Sequence, residues 1–225
     1  MTDLRRDLLN LLATHSFRLG DFTLACGAKS DYYIDCRTTT LHAEGGRLAG
    51  LVFYELIRET MPSAVAVGGL TMGADPLVSN TASASAWALA DFNEILELSQ
   101  ELDLEHAEDP GTPPPLIHGF LVRKMEKTHG TGRRIEGFLE PGAQVVIVDD
   151  VCTTGGSTIT AIEAAREAGM IVAGVLCLVD REQGGRLNIE RALAEIPSDL
   201  DPDQEIPFIS IFTANDVRMA HVDSK

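Results

Sequence analysis

The sequence has no apolar run near the roughly 20 residues that a membrane-spanning helix requires; its longest, such as 171–179, are far shorter. It has no CxxC pair. Cys26, Cys36, Cys152 and Cys177 stand apart, with no histidine at zinc-ligand spacing, so the reading is reduced thiols in a cytosolic protein. His42, His106 and His118 likewise show no metal-ligand pattern. Positive charge is scarce: the formal net charge is −16, and no Lys or Arg occurs between Arg58 and Arg123. Nucleic-acid binding needs a basic surface to displace counterions, so a nucleic-acid partner is disfavoured. The opening MTDLRRDLLNLL mixes acids and two arginines with its leucines. That is the pattern of an amphipathic helix, not of a signal peptide.

What is present suits one α/β domain, or one domain with an appended flap: 225 residues, 44% of them hydrophobic, with 20 glycines. The cations that do occur are bunched. RKMEKTHGTGRR (123–134) holds Arg123, Lys124, Lys127, Arg133 and Arg134. In so acidic a chain this stretch is either a solvated loop or a place where an anionic ligand is met.

Leu8, Leu11 and Leu12 make one stripe of a helix over 4–14, and Leu48, Leu51, Val52 and Leu56 make another over 43–59. Between them, β-prone residues flank a glycine in 22–40, which predicts a hairpin. Nearly continuous apolar runs at 64–68, 117–122, 144–149 and 171–180 predict strands covered on both faces, and 207–212 an edge strand. A helix over 157–168 ends at Gly169. Alternating strand and helix gives an open, mainly parallel sheet flanked by helices, whose ligands bind beyond the carboxyl ends of the strands. The chain reads as a single domain: an N-terminal helix and hood (1–45), a core (46–213) and a tail (214–225). An acidic insert over 91–115 reads as a short solvated helix plus linker, or as a partly disordered excursion.

Chemistry concentrates in VVIVDDVCTTGGST, 145–158. A buried strand delivers Asp149 and Asp150, and Thr153, Thr154, Gly155 and Gly156 then turn the chain into a helix near Ser157. Glycines let backbone N–H groups converge, and the helix N-terminus adds orphan donors and partial positive charge, so an anion is favoured there. No Lys follows the glycines and GxGxxG is absent, which excludes a Walker loop and a dinucleotide fingerprint. Two carboxylates beside a phosphate nest would repel a polyphosphate but would accept sugar hydroxyls. The ligand expected is therefore a ribose with a terminal phosphate. Cys152 lies in the segment with no base beside it and reads as a packed or partly exposed thiol, not as a nucleophile.

This segment resembles the phosphoribosyl pyrophosphate (PRPP) signature of type I phosphoribosyltransferases. Four other segments resemble the orotate phosphoribosyltransferase family: TLACGAKSDYYIDCRTTTLHAEG (23–45), VGGLTMGADPL (67–77), FLVRKMEKTHGTGRRIEG (120–137) and DREQGG (180–185). The resemblance implies a type I phosphoribosyltransferase fold with an N-terminal hood, and conversion of orotate and PRPP into orotidine 5′-monophosphate and pyrophosphate, with Mg²⁺ carried mainly by PRPP. It implies that Arg123, Lys124, Lys127 and His129 bind the pyrophosphate. Asp149 and Asp150 hold the ribose hydroxyls, and the turn from Val151 and Cys152 through Thr153, Thr154, Gly155, Gly156 and Ser157 wraps the 5-phosphate. Arg181 pairs with the orotate carboxylate, with Thr153 near the base. Lys127, His129, Asp149 and Asp150 are the catalytic set. A cytoplasmic homodimer is implied, with loop 123–133 reaching the neighbouring subunit's site. The pattern departs at Ala25 and Met72, where some relatives carry lysine. Tyr32 and Tyr33 read equally as base-stacking rings or as simple strand formers. The donor signature alone leaves two other readings: transfer to a purine or uracil, or a PRPP-sensing regulatory protein of the same fold.

Overall fold

A computed structural model describes residues 3–23, 29–101, 111–124, 134–194 and 206–223. Helix α1 (Asp3–Leu11) buries Leu8 and runs into a wide π-type turn, Leu12–Ser16, that buries Leu12. The predicted hairpin follows, but its first strand starts earlier than 22. β1 (Phe17–Thr23) pairs antiparallel with β2 (Lys29–Ile34) as a separate two-stranded sheet. Residues 37–40 leave the strand as a short helix, α2 (Arg37–Thr40). The hydroxyls of Thr38 and Thr39 bond Ser16 Oγ at 3.0 and 2.6 Å, which ties that turn to the base of the hairpin. Helix α3 (Ala43–Thr60) is started by His42, whose Nδ1 accepts from the Gly45 N–H.

The core sheet has order β5-β4-β3-β6-β7-β8, formed by β3 (Ala66–Leu70), β4 (His118–Val122), β5 (Ile135–Gly137), β6 (Gln144–Cys152), β7 (Ile171–Asp180) and β8 (Phe208–Thr213). All pairings are parallel except β4–β5. The continuous apolar runs have a plain cause. On β6, Val146 and Val148 belong to a core shared with α1 and α3. Val145 and Ile147 face a second core shared with α5 (Gly156–Glu167) and α6 (Gly185–Ala194). Both faces of the strand are covered, so alternation of polar and apolar residues disappears.

Three features differ from the sequence reading. Residues 91–101 of the insert are helical, as one of its two readings had it, but they continue α4 (Asp75–Glu101), a single 27-residue helix, instead of forming a helix of their own; residues 102–110 of the insert lie outside the described residues. Neither Gly nor Pro occurs between Leu77 and Asp109, and Glu, Leu and Gln propagate a helix whatever their charge. Beyond it, the proline cluster is docked, with Pro114 buried and Tyr54 Oη donating to the Pro115 carbonyl at 3.2 Å. The segment read as a tail is helix α7 (Ala214–Asp223), which buries Val217 and braces the hairpin. His221 Nδ1 lies 2.7 Å from the Ala13 carbonyl, and Arg218 pairs with Asp31 at 2.9 Å. β5 and α6 carried no signal that the sequence reading picked up.

Candidate active site

In strand order, β3 connects outward to β4 while β6 lies on its other side. The loops leaving β3 and β6 therefore diverge, and a crevice opens at the carboxyl ends of these strands, the usual ligand position in such sheets. The crevice is a cleft of about 520 Å³. Its walls come from the hairpin side (Tyr33, Ile34, Asp35, Arg37), Leu70 at the end of β3 and the loop after it (Thr71, Met72, Gly73), Lys124, the end of β6 (Asp149, Asp150, Val151) and Ser157 at the start of α5.

The two acids are not equivalent. β6 extends through both of them to Cys152, so neighbours in sequence point to opposite sides. Asp149 is 7% exposed. Its Oδ2 accepts from Thr158 Oγ1 at 2.6 Å and its Oδ1 from the Asp150 N–H at 3.0 Å. Burial pushes its carboxyl up to about 7; the Thr158 hydrogen bond opposes this and the charge of Asp150 adds to it. Asp150 is more open and accepts from the Val151 N–H at 3.0 Å. Its carboxyl is also raised by burial, against the Val151 N–H bond and the nearby positive charge of Arg37. The carboxylate lies so close to Gly73 that a Cβ there would overlap it. The loop after β3 can approach β6 this closely only without a side chain at 73.

The turn after Cys152 is built for an anion. Gly155, at φ 82°, caps α5 without any side-chain hydrogen bond, so the first N–H groups of the helix are left to a ligand or to water. The turn is braced from below by the segment after β7 and by α6. Arg181 N–H donates to the Cys152 carbonyl at 2.9 Å, and Asn188 Nδ2 to the Thr154 carbonyl at 3.0 Å. A Cβ at Gly185 would meet Cys152 Sγ and the Thr153 carbonyl. Cys152 is 1% exposed, a packed thiol under the turn.

The side chain of Arg181 is tied to the hairpin, and Arg181 is not among the cleft-lining residues. Its Nε lies 3.3 Å from Tyr32 Oη and its Nη2 3.4 Å from Ser30 Oγ. Tyr32 is held edge and face, stacked on Phe17 at 5.5 Å, while Tyr33 faces the cleft. Of the residues singled out from sequence, Lys124, Asp149, Asp150, Val151 and Ser157 line one cleft, and Thr153, Thr154, Gly155 and Gly156 form its adjoining turn. Arg123 is not among the lining residues; its Nε pairs with Glu136 at 3.2 Å along the β4–β5 edge. Lys127 and His129 lie outside the described residues. Sequence reasoning missed Asp35, Arg37 and Asn188. The first two carry a faint signal, an Asp two residues before an Arg at the end of a strand.

Fold and site together define the phosphoribosyltransferase class, of the type I kind with an N-terminal hairpin over a mainly parallel sheet. The family profile described as "Phosphoribosyl transferase domain" matches residues 123–196. An orotate phosphoribosyltransferase of Aquifex aeolicus is 40% identical over 190 residues, covering 83% of this chain and 89% of that one. The crystal structure of Mycobacterium tuberculosis orotate phosphoribosyltransferase with Fe(III) dicitrate superposes with a TM-score of 0.68 at 31% identity, covering 95% of this chain and 98% of that one. The same enzyme in complex with PRPP gives a TM-score of 0.63 at 27% identity, covering 96% and 93%. The chain belongs to the orotate phosphoribosyltransferase family.

Proposed function

We propose that this chain transfers the phosphoribosyl group of PRPP to orotate, yielding orotidine 5′-monophosphate and pyrophosphate for pyrimidine nucleotide synthesis. The observation that carries this is a placement. Asp149, Asp150 and Ser157 line one crevice, with the glycine turn 153–156 adjoining it, and Arg181 is joined by its backbone N–H to Cys152 at the foot of that turn and by its side chain to the hairpin; this supports a phosphate on the turn, a ribose at the acids and a carboxylated base at the arginine.

In this reading the 5-phosphate sits on the N–H groups of Thr154, Gly155, Gly156 and Ser157. Asp150 accepts hydrogen bonds from the ribose hydroxyls, and Asp149 beneath it supplies negative charge. The anomeric C–O bond breaks with its electron pair going to the pyrophosphate, leaving an oxocarbenium-like ribose as in other glycosyl transfers. The carboxylates balance that developing positive charge. Lys124, with Arg123, Lys127 and His129 of the same stretch, meets the charge of the departing pyrophosphate and excludes water. N1 of orotate forms the new bond to C1 with loss of its proton. Arg181 takes the orotate carboxylate as a bidentate fork, and Thr153 lies near the base.

Asp149 and Asp150 offer oxygen donors, the type a hard cation accepts. That set fits a magnesium ion that takes most of its ligands from substrate oxygens and water. When bound with PRPP, Mg²⁺ neutralises pyrophosphate charge. No described helix is long and apolar enough to cross a membrane, and a cytoplasmic setting agrees with the three buried cysteines Cys36, Cys152 and Cys177 being unpaired. A homodimer in which loop 123–133 completes the neighbouring site is part of the proposal. The apolar Leu41 and Met72, 73% and 67% exposed beside the cleft, favour an association there.

The test is an absorbance assay of orotate consumption with purified protein, requiring both PRPP and Mg²⁺. Turnover of hypoxanthine or uracil in place of orotate would reassign the acceptor. PRPP binding with no turnover of any base would turn the reading to a sensor.

A further inference from the structure

Arg37 is a cation for which the reaction just described has no use. It stands at the wall of the main cleft, and with Met72 it also lines the adjoining cavity of about 540 Å³. Its Nε and Nη2 donate to the two oxygens of Asp35, each at 2.9 Å, and its backbone N–H donates to Asp35 Oδ1 at 3.1 Å. A guanidinium carries five donors in a rigid fork and offers two edges to planar anions. Asp35 occupies the Nε/Nη2 edge and so fixes the plane. No acceptor among the described residues meets the Nη1/Nη2 edge.

The surroundings say what that edge is for. Among the described residues lining the cleft, the acids are Asp35, Asp149 and Asp150, and the cations are Arg37 and Lys124. The facing loop contributes only Thr71, Met72 and Gly73, none of them charged. With the 5-phosphate on the α5 turn and the ribose on Asp150, the diphosphate end of the donor extends away from the turn, toward this loop. Arg37 is near enough to Asp150 for its positive charge to act on that carboxyl. A multiply charged anion entering beside three carboxylates needs a fixed counter-charge, and a pre-oriented guanidinium loses little entropy in supplying one.

We infer that Arg37 binds the diphosphate of the donor through its outer edge, and that Asp35 is the positioning residue that aims it. The inference rests on PRPP as the donor. Calorimetry with four probes separates the two: PRPP, magnesium pyrophosphate, ribose 5-phosphate and orotate. Arg37→Gln weakens magnesium pyrophosphate and PRPP by at least about tenfold while ribose 5-phosphate stays within about twofold, as expected for loss of a charge-assisted fork. Arg37→Lys keeps the charge and loses the fork, so it restores part of the affinity. Asp35→Asn falls between, raising the KM for PRPP more than it lowers kcat. Thermal unfolding accompanies each variant, and if Arg37→Gln does not fold, the lysine and Asp35→Asn variants carry the test. Unchanged pyrophosphate affinity, an equal loss for ribose 5-phosphate, or a loss confined to orotate each overturns the assignment. Failure of the unaltered protein to bind PRPP or magnesium pyrophosphate removes the donor reading itself, before any variant is made.

Discussion

Arg181 lies over the face of Tyr32, its guanidinium carbon 4.8 Å from the ring centroid, although the two residues are 149 positions apart. This contact joins the hairpin to the core at the point where the acceptor base is proposed to bind. The hydroxyl of Tyr32 and that of Ser30 hold the guanidinium side-on, so the arginine is oriented before any ligand arrives. Arg181→Ala is expected to raise the KM for orotate about 10- to 100-fold, the worth of a hydrogen-bonded charge, while the affinity for PRPP stays the same. Tyr32→Phe, which keeps the ring and loses the hydroxyl, should show a smaller rise. Steady-state kinetics with each substrate varied in turn distinguishes the two sides; equal loss for both substrates would remove Arg181 from the acceptor site.

Asp149 is expected to make the proposed donor side sensitive to pH. Its folded pKa of about 7 stands above the ordinary 3.8, first because of burial. Between those values the folded protein holds a proton that the unfolded chain has released. The contribution to stability is therefore complete below the lower value and is lost as pH rises through about 7. In the proposed mechanism catalysis runs the other way, since the carboxylate is the form assigned to the ribose, so kcat/KM for PRPP should climb across the same range. Thr158→Val deletes the hydrogen bond that holds the pKa down, and the acid limb of the profile should move to higher pH. Asp149→Asn should flatten the stability slope and lower turnover. A limb whose midpoint ignores Thr158→Val would show that another group controls it.

Gly73 carries a purely steric demand. Its Cα faces the Asp150 carboxylate, which the Val151 N–H fixes in place. Gly73→Ala should displace that carboxylate and lower kcat/KM for PRPP by about 10²-fold, the scale of a misplacement near 1 Å. Orotate binding and the melting temperature should change little. Wild-type kinetics in this variant would mean that Asp150 has room to move without consequence.

Loop 123–133 is proposed to act across a dimer, and two inactive variants test this together. Lys127→Ala should lower kcat by about 10²- to 10³-fold, as when a charge-stabilising donor is lost. Asp150→Asn should lower it through the other half of the site. Mixed subunits then regain activity, because one site in each hybrid pairs an intact loop with an intact acid. No recovery on mixing, with exchange of subunits verified by mass, would place the loop in its own subunit's site.

The sequence made some of this legible and left the rest hidden for physical reasons. The strands at 144–152 and 171–180 announce themselves because two cores cover both faces of the sheet, and the stretch at 149–157 because its glycines, acids and hydroxyls are contiguous. The unbroken course of α4 was obscured by composition. Acidic residues from Asp91 onward look like a solvated excursion, yet nothing in them stops a helix. α7 looks like a tail because what makes it structural lies far away, in Ala13 and Asp31. The same holds for Asn188, whose carbonyl partner on Thr154 is reached only after β7 crosses back. Arg37 sits in a segment whose strand-forming residues drew attention from its pairing with Asp35.

The dependence of the hairpin on α7 has a consequence for how the chain is made. Residues 17–34 are synthesised early, but Arg181 and Arg218, on which they rest, come much later. The donor turn closes within 145–158, over a short stretch of chain, and α6 braces it soon afterwards. Long-range contacts form late because their loops must close first, so the nascent protein is expected to acquire the turn proposed to bind phosphate before the end proposed to bind the base. Removing residues 214–223 should then leave ribose 5-phosphate binding in place while the hairpin amides lose their protection from hydrogen exchange.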